Sequence, residues 1–93
     1  MNSSSKKPSY AGKDVFIGID VHKRTYCVAV VVEGMLVKKW QTMAVPEQLA
    51  KQLQGYFPAA NLYSAYEAGF SGFVLHRELE SAGMKNVVVN AAG

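Results

Sequence analysis

From residue 14 onward, apolar residues come in runs separated by short polar or Gly/Pro breaks, and the length and period of each run predict an element. DVFIGID (14–20) and YCVAVVVE (26–33) are short and nearly all apolar, the pattern of strands near the middle of a sheet and covered on both faces. VHKRT between them fits a hairpin connection, and Glu33-Gly34 marks a second reversal before MLVKKWQTM (35–43). Three strands in sequence joined by tight turns form an antiparallel meander. The third is the most polar, and Lys38 and Lys39 suit an edge position, where charge discourages pairing with other chains.

The period then changes. Pro46 sits where a helix begins, Glu47 falls in its first turn, and Leu49, Leu53 and Tyr56 or Phe57 recur at helical spacing as far as Gly55–Pro58. NLYSAYE (61–67) reads as a fourth strand, although Ala and Ser are weak strand formers. Phe70 to Ala82 predicts a second helix, with Ser71 as N-cap, Leu75, Leu79 and Ala82 on one stripe, and Gly83 as the stop. NVVVN (86–90) is the last strand. The order β-β-β-α-β-α-β predicts an α/β fold, a meander followed by crossover units that right-handed connection makes parallel additions to the sheet. A last strand laid down immediately before the end of the chain presents an apolar edge or face, so a homo-oligomer is expected.

Ninety-three residues fit one small domain that buries roughly 60% of its unfolded surface, enough for a single modest core. With 49% apolar and 18% charged residues the chain is globular, and no run approaches the roughly 18 apolar residues of a membrane span. The net charge of +3 invites a nucleic-acid reading, but Lys6, Lys7 and Lys13 account for all of it, because seven basic and seven acidic residues follow. Residues 1–13, rich in Ser, Lys, Gly and Pro, read as a flexible basic tail ahead of a domain over 14–93. The lone Cys27 allows no internal disulfide and reads as a small core residue. The N-terminus has no apolar signal-peptide core, so the expected location is cytoplasmic.

Candidate chemistry gathers at two strand ends. Asp20 closes the first strand and Glu67 the fourth, and ligands in open α/β sheets collect beyond the carboxyl ends of strands. Asp at a strand end also has a purely local explanation, because it favours turns. If the first strand is the pivot between meander and crossovers, the fourth pairs beside it and the carboxylates become neighbours. Two like charges there repel, and a hard divalent ion such as Mg²⁺ answers the repulsion while keeping waters for substrate phosphates. Such a site suits metal-assisted phosphodiester chemistry.

IGIDVHK followed by an apolar strand, YEAGFSG some 45 residues later, and the helix leading to GMKNVVVN resemble the N-terminal domain of bacterial insertion-sequence transposases with a RuvC-like DEDD catalytic domain. The resemblance runs from about residue 14 to 90. It implies an RNase H-like fold in which Asp20 matches the first Asp of the tetrad and Glu67 the Glu, both as catalytic metal ligands for Mg²⁺. It implies DNA as substrate, with strand cleavage and joining in transposition as the activity, and a structured bridge RNA that guides members of the family. The family's two later aspartates lie downstream of the strand ending at Asn90, so the chain is expected to be an N-terminal portion, inactive alone. The family's C-terminal domain, with its DNA-linking serine, lies outside this sequence, and none of Ser3, Ser64, Ser71 or Ser81 takes that role.

Around Asp20, His22, Lys23 and Arg24 are candidate nucleic-acid contacts, set against the simpler reading of a solvated basic turn. Trp40, Tyr56, Tyr63, Tyr66, Phe70 and Phe73 suggest stacking platforms but fit core positions better. Gly69 and Gly72 permit close backbone approach or simply helix entry. Two other functions compete: half of a sugar-kinase or actin-like ATPase, which opens with a similar Gly-Ile-Asp strand, and a non-catalytic interaction fragment that binds another chain at its sheet edge. The first normally follows the Asp with Gly and a hydroxyl residue to cradle phosphate, and Val21-His22-Lys23 has neither.

Overall fold

Along the first strand every second residue is buried: Val15, Ile17 and Ile19 face the core, while Phe16, Gly18 and Asp20 are exposed. In a computed structural model describing residues 9–67 and 73–89, this strand, β1 (Asp14–Val21), is the middle of a five-stranded sheet. β2 (Thr25–Val32), β3 (Met35–Met43), β4 (Asn61–Glu67) and β5 (Lys85–Val89) complete the order β3-β2-β1-β4-β5. β1 pairs antiparallel with β2 and parallel with β4, so it is the pivot between meander and crossovers. β2–β3 is antiparallel and β4–β5 parallel.

Local chemistry explains each reversal. Glu33 and Gly34 both take positive φ, 53° and 80°, which gives the two-residue hairpin the twist its flanking strands need. Helix α1 (Pro46–Tyr56) starts on Pro46 with Glu47 in its first turn. Helix α2 (Val74–Ser81) ends in a Schellman motif, with Met84 N–H donating to Leu79 O at 3.1 Å, Gly83 N–H donating to Glu80 O at 3.0 Å, and Gly83 at φ +90°. Phe70, Ser71, Gly69, Gly72 and Asn90 lie outside the described residues.

Both helices pack on one face. Leu49, Leu53, Leu75 and Leu79 are fully buried against Val15, Val28 and Val30, in one cluster with Ile17, Ile19, Tyr26 and Tyr66. Among the described residues β1 and β2 are covered on one side only, which corrects the expectation of cover on both. The reason is topological: the β3–α1–β4 and β4–α2–β5 crossovers move in the same direction along the sheet, so right-handedness puts both helices on the same side. On the other face Phe16, Leu36, Val87 and Val89 are exposed. Cys27 belongs to this open face, half-buried, and not to the core.

Residues 10–13 are held to the domain instead of trailing as tail. Tyr10 packs on Phe57 with ring centroids 5.5 Å apart, and Gly12 N–H donates to Ala59 O at 2.8 Å. On the helix side, a buried polar chain ties α2 to β4 and β5. His76 Nδ1–H donates to Asn86 Oδ1 at 2.7 Å, and Asn86 Nδ2–H donates to Ser64 Oγ at 2.8 Å. Ser64 in turn donates to Lys85 O at 3.4 Å. Among the described residues no helix is long and apolar enough to cross a membrane.

Two outcomes follow from this packing. Leu53→Ala, at a fully buried position facing the sheet, is expected to cost about 2–5 kcal/mol in urea unfolding, whereas Leu36→Ala on the open face should cost less than about 1 kcal/mol. Burial raises the phenol pKa of Tyr26, with the neighbouring Tyr66 adding to the shift. Tyr66 is raised by burial as well, partly offset by the His76 N–H and by Arg77. Because the folded state holds these protons more tightly than the unfolded chain, stability is fully present below pH ~10 and falls as pH rises through the folded-state values. Absorbance titration at 295 nm should find two of the five tyrosines ionising late, together with the loss of helical circular dichroism.

Candidate functional site

The site begins with strand register. Ile19 of β1 lies opposite Tyr66 of β4, both buried on the helix side. The next residues, Asp20 and Glu67, therefore project from the opposite, open face at the same ends of two adjacent parallel strands. Adjacent strands are spaced by about 4.8 Å, so the backbone positions of Asp20 and Glu67 are neighbours. Between β1 and β4 the chain order jumps from the first strand to the fourth, which is where an open α/β sheet leaves a crevice beyond its strand ends.

His22 sits just past β1. Its N–H donates to Thr25 O at 2.9 Å to close the β1–β2 turn, and its ring Nε2 lies 3.1 Å from Asp20 Oδ2. The imidazole is thus directed at the first carboxylate. Lys23 borders a separate cleft of about 210 Å³ on the helix side, with Pro46 and Val74. Arg24 accepts Ala44 N–H at its carbonyl, 2.9 Å, which ties the turn to the end of β3. Of the sequence-predicted set, His22 meets Asp20 directly and Glu67 follows at the end of the neighbouring strand, while His22 and Lys23 both border the helix-side cleft.

A broad depression of about 830 Å³ covers the open face beside the carboxylates. Its floor is a row of small residues in register, Ala29, Gly18 and Ala65, and its rim carries Asp20, Glu67, Lys39 and Val89. Sequence reasoning assigned Lys38 and Lys39 alike to edge protection. β3 is indeed an edge, but the two lysines face opposite ways: Lys38 Nζ lies 4.3 Å from the Tyr56 ring centroid on the helix side, while Lys39 pairs with Ala29 on the open side. Strand alternation was the available signal, but it depends on a register that a β-bulge shifts.

The aromatic candidates divide in the same way. Tyr66 is buried, and Trp40 packs edge-on against Tyr56 of α1, while Tyr63 stacks on Phe16 across the open face at 5.3 Å. Phe73 is exposed at the start of α2. Tyr66 supports the site from behind: its Oη accepts His76 N–H at 3.0 Å, which fixes the first turn of α2 one residue from Glu67. Exposed carboxylate oxygens at Asp20 and Glu67 suit a hard divalent ion that keeps part of its water shell. Among the described residues no group of three or more His, Cys, Asp and Glu side chains is gathered as a metal site.

No family model matches the chain, and no curated protein does. Among solved structures, the large terminase nuclease from thermophilic phage G20c is similar with a TM-score of 0.59 and 16% identity, over 85% of this chain and 45% of that one. A Bacteroides thetaiotaomicron protein with an actin-like ATPase fold and unknown function is similar with a TM-score of 0.65 and 17% identity, over 91% of this chain and 36% of that one. This chain thus spans less than half the length of either. Likeness at such low identity bears on the fold, and with the mixed sheet of order β3-β2-β1-β4-β5 it identifies that fold as RNase H-like.

Proposed function

We propose that this chain is the N-terminal part of a DEDD transposase or recombinase domain that cleaves and joins DNA strands with divalent metal ions as an insertion sequence moves. The observation that carries this reading is the pair Asp20 and Glu67 at the carboxyl ends of adjacent parallel strands, on the uncovered face. Fold likeness to a terminase nuclease supports the nucleic-acid part of the reading, and the IGIDVHK and YEAGFSG segments support the transposase part.

In this reading Asp20 and Glu67 hold Mg²⁺, which supplies Lewis-acid polarisation of a phosphodiester oxygen and an activated nucleophile. His22, hydrogen-bonded to Asp20, restrains the rotamer of that carboxylate. Lys23 and Arg24, both exposed in the adjoining turn, add positive charge that attracts backbone phosphates without reading sequence, Lys23 from the helix-side cleft. A structured guide RNA and a second copy of the chain are the further partners. The second copy pairs through β5, an edge strand whose Val87 and Val89 are exposed.

The likeness to an actin-like ATPase fold favours a second reading, in which the β1–β2 turn holds the phosphates of ATP. Val21-His22-Lys23 brings neither glycine nor hydroxyl to that turn, so the nucleic-acid reading stands first.

Titration with Mn²⁺ separates the two. Paramagnetic broadening of amide signals should centre on Asp20 and Glu67 at roughly millimolar ion and disappear in Asp20→Asn, with no dependence on ATP. Broadening centred on Glu78 and Glu80, or unchanged by Asp20→Asn, would overturn the assignment. With two of the four carboxylates that the resemblance implies, the 93-residue chain should leave supercoiled plasmid intact in Mg²⁺. Metal-dependent nicking that vanishes in Asp20→Asn would show that the pair suffices.

A further inference from the structure

Glycine in the middle of a central strand weakens it, and Gly18 has no local reason to be there. Its φ is not positive, and a Cβ built on it would meet only Ala29 O at 3.9 Å, an ordinary contact. Neither backbone conformation nor packing among the described residues calls for glycine. A strand glycine without such a reason marks a place where something approaches the backbone closely. Gly18 lies at the centre of the open face, flanked in register by Ala29 and Ala65, two residues before Asp20.

Lys39 stands at the far side of this level floor, two strands from Gly18. Of the lysines near the open face, Lys85 lies 5.7 Å from the Tyr63 ring centroid, and Lys38 is turned to the helix side over Tyr56. Among the described residues no ion pair or cation–π contact engages Lys39, although it borders the same depression as both carboxylates. Strand spacing and rise put its Cα about 12 Å from that of Asp20. A flexible four-carbon stem crosses about half of that distance and leaves room for one phosphate group.

We propose that the sugar–phosphate backbone of a nucleic acid lies across the open face over Gly18, with one phosphate held by Lys39 opposite the Asp20–Glu67 carboxylates. This rests on the nucleic-acid reading of the site and adds its binding track. The carboxylates repel the backbone unless a cation neutralises them, so the contribution of Lys39 depends on a divalent ion.

Fluorescence anisotropy of a short labelled DNA duplex, in Ca²⁺ across a salt series, tests the track. Lys39→Gln should weaken binding about threefold to tenfold and reduce the slope of log K against log[salt] by about 0.9, one phosphate contact, while Lys38→Gln leaves the slope unchanged. Gly18→Val should fold with an unchanged or higher Tm, since valine favours strands, yet weaken binding as much as Lys39→Gln. Equal effects of the two lysines, or no effect of Lys39→Gln and Gly18→Val, would overturn the proposal. So would a Gly18→Val variant that keeps its DNA affinity but changes sedimentation, because the face would then be a protein contact. Mn²⁺ broadening at Asp20 and Glu67, followed in the same Lys39→Gln sample, should persist. Its absence in wild-type protein refutes the metal reading, whereas its presence without the slope change refutes only the track.

Discussion

β1 has to satisfy two kinds of neighbour at once, and the rest of the architecture depends on it. Its backbone bonds antiparallel to β2 and parallel to β4, so the chain must leave the meander, cross behind it through α1, and return beside its own first strand. That return puts Glu67 next to Asp20, two residues that are 47 positions apart in sequence and belong to no common local motif. The following crossover continues in the same direction, which places α2 beside α1 and, among the described residues, leaves the other face uncovered. Fold and candidate site are thus two results of one pairing choice, and the hydrophobic residues on the helix side maintain it.

Much of this was legible in the sequence because short strands leave distinct marks. The reversal at Glu33-Gly34, the proline at the start of α1 and the glycine after α2 are local signals with local causes, and each stands where it was expected. The adjacency of Asp20 and Glu67 was legible only through topology, by treating β1 as the pivot. The number of covered faces was not legible from composition. Val15, Ile17, Val28 and Val30 alternate with Phe16, Gly18, Ala29 and Val31, and at the apolar end of that scale an open face reads like a buried one. Cys27 was misplaced for the same reason, since a small apolar residue fits either side.

The buried polar chain from Ser64 through Asn86 to His76 was beyond sequence reasoning, because each member looks like an ordinary polar residue in its own segment. Its value lies in mutual satisfaction. Buried amide and hydroxyl groups are costly when left unpaired, and here each answers the next. A slip of β5 by one residue would turn Asn86 to the open side and leave Ser64 and His76 unpaired, so the chain specifies the register of the last strand. Together with the Tyr66 contact to His76, it keeps the end of β4 in place directly behind Glu67.

The bulge between Val30 and Val31 decides which way two adjacent lysines face. With it, Val30 pairs with Lys38 and Ala29 with Lys39; in an unbulged ladder counted from the same turn, Lys38 would stand opposite Ala29. The indole of Trp40, donating to Gln52 Oε1 at 3.0 Å, holds the bulged alternative, because the slipped strand would swing that ring to the bare face. The doubled lysine nevertheless makes the charge of the open face indifferent to the choice, since either ladder presents one ammonium beside Ala29. A one-residue insertion or deletion in the β2–β3 ribbon would therefore disturb the docking of α1 before it altered the electrostatics of the carboxylate face. The two properties of this edge strand can drift independently.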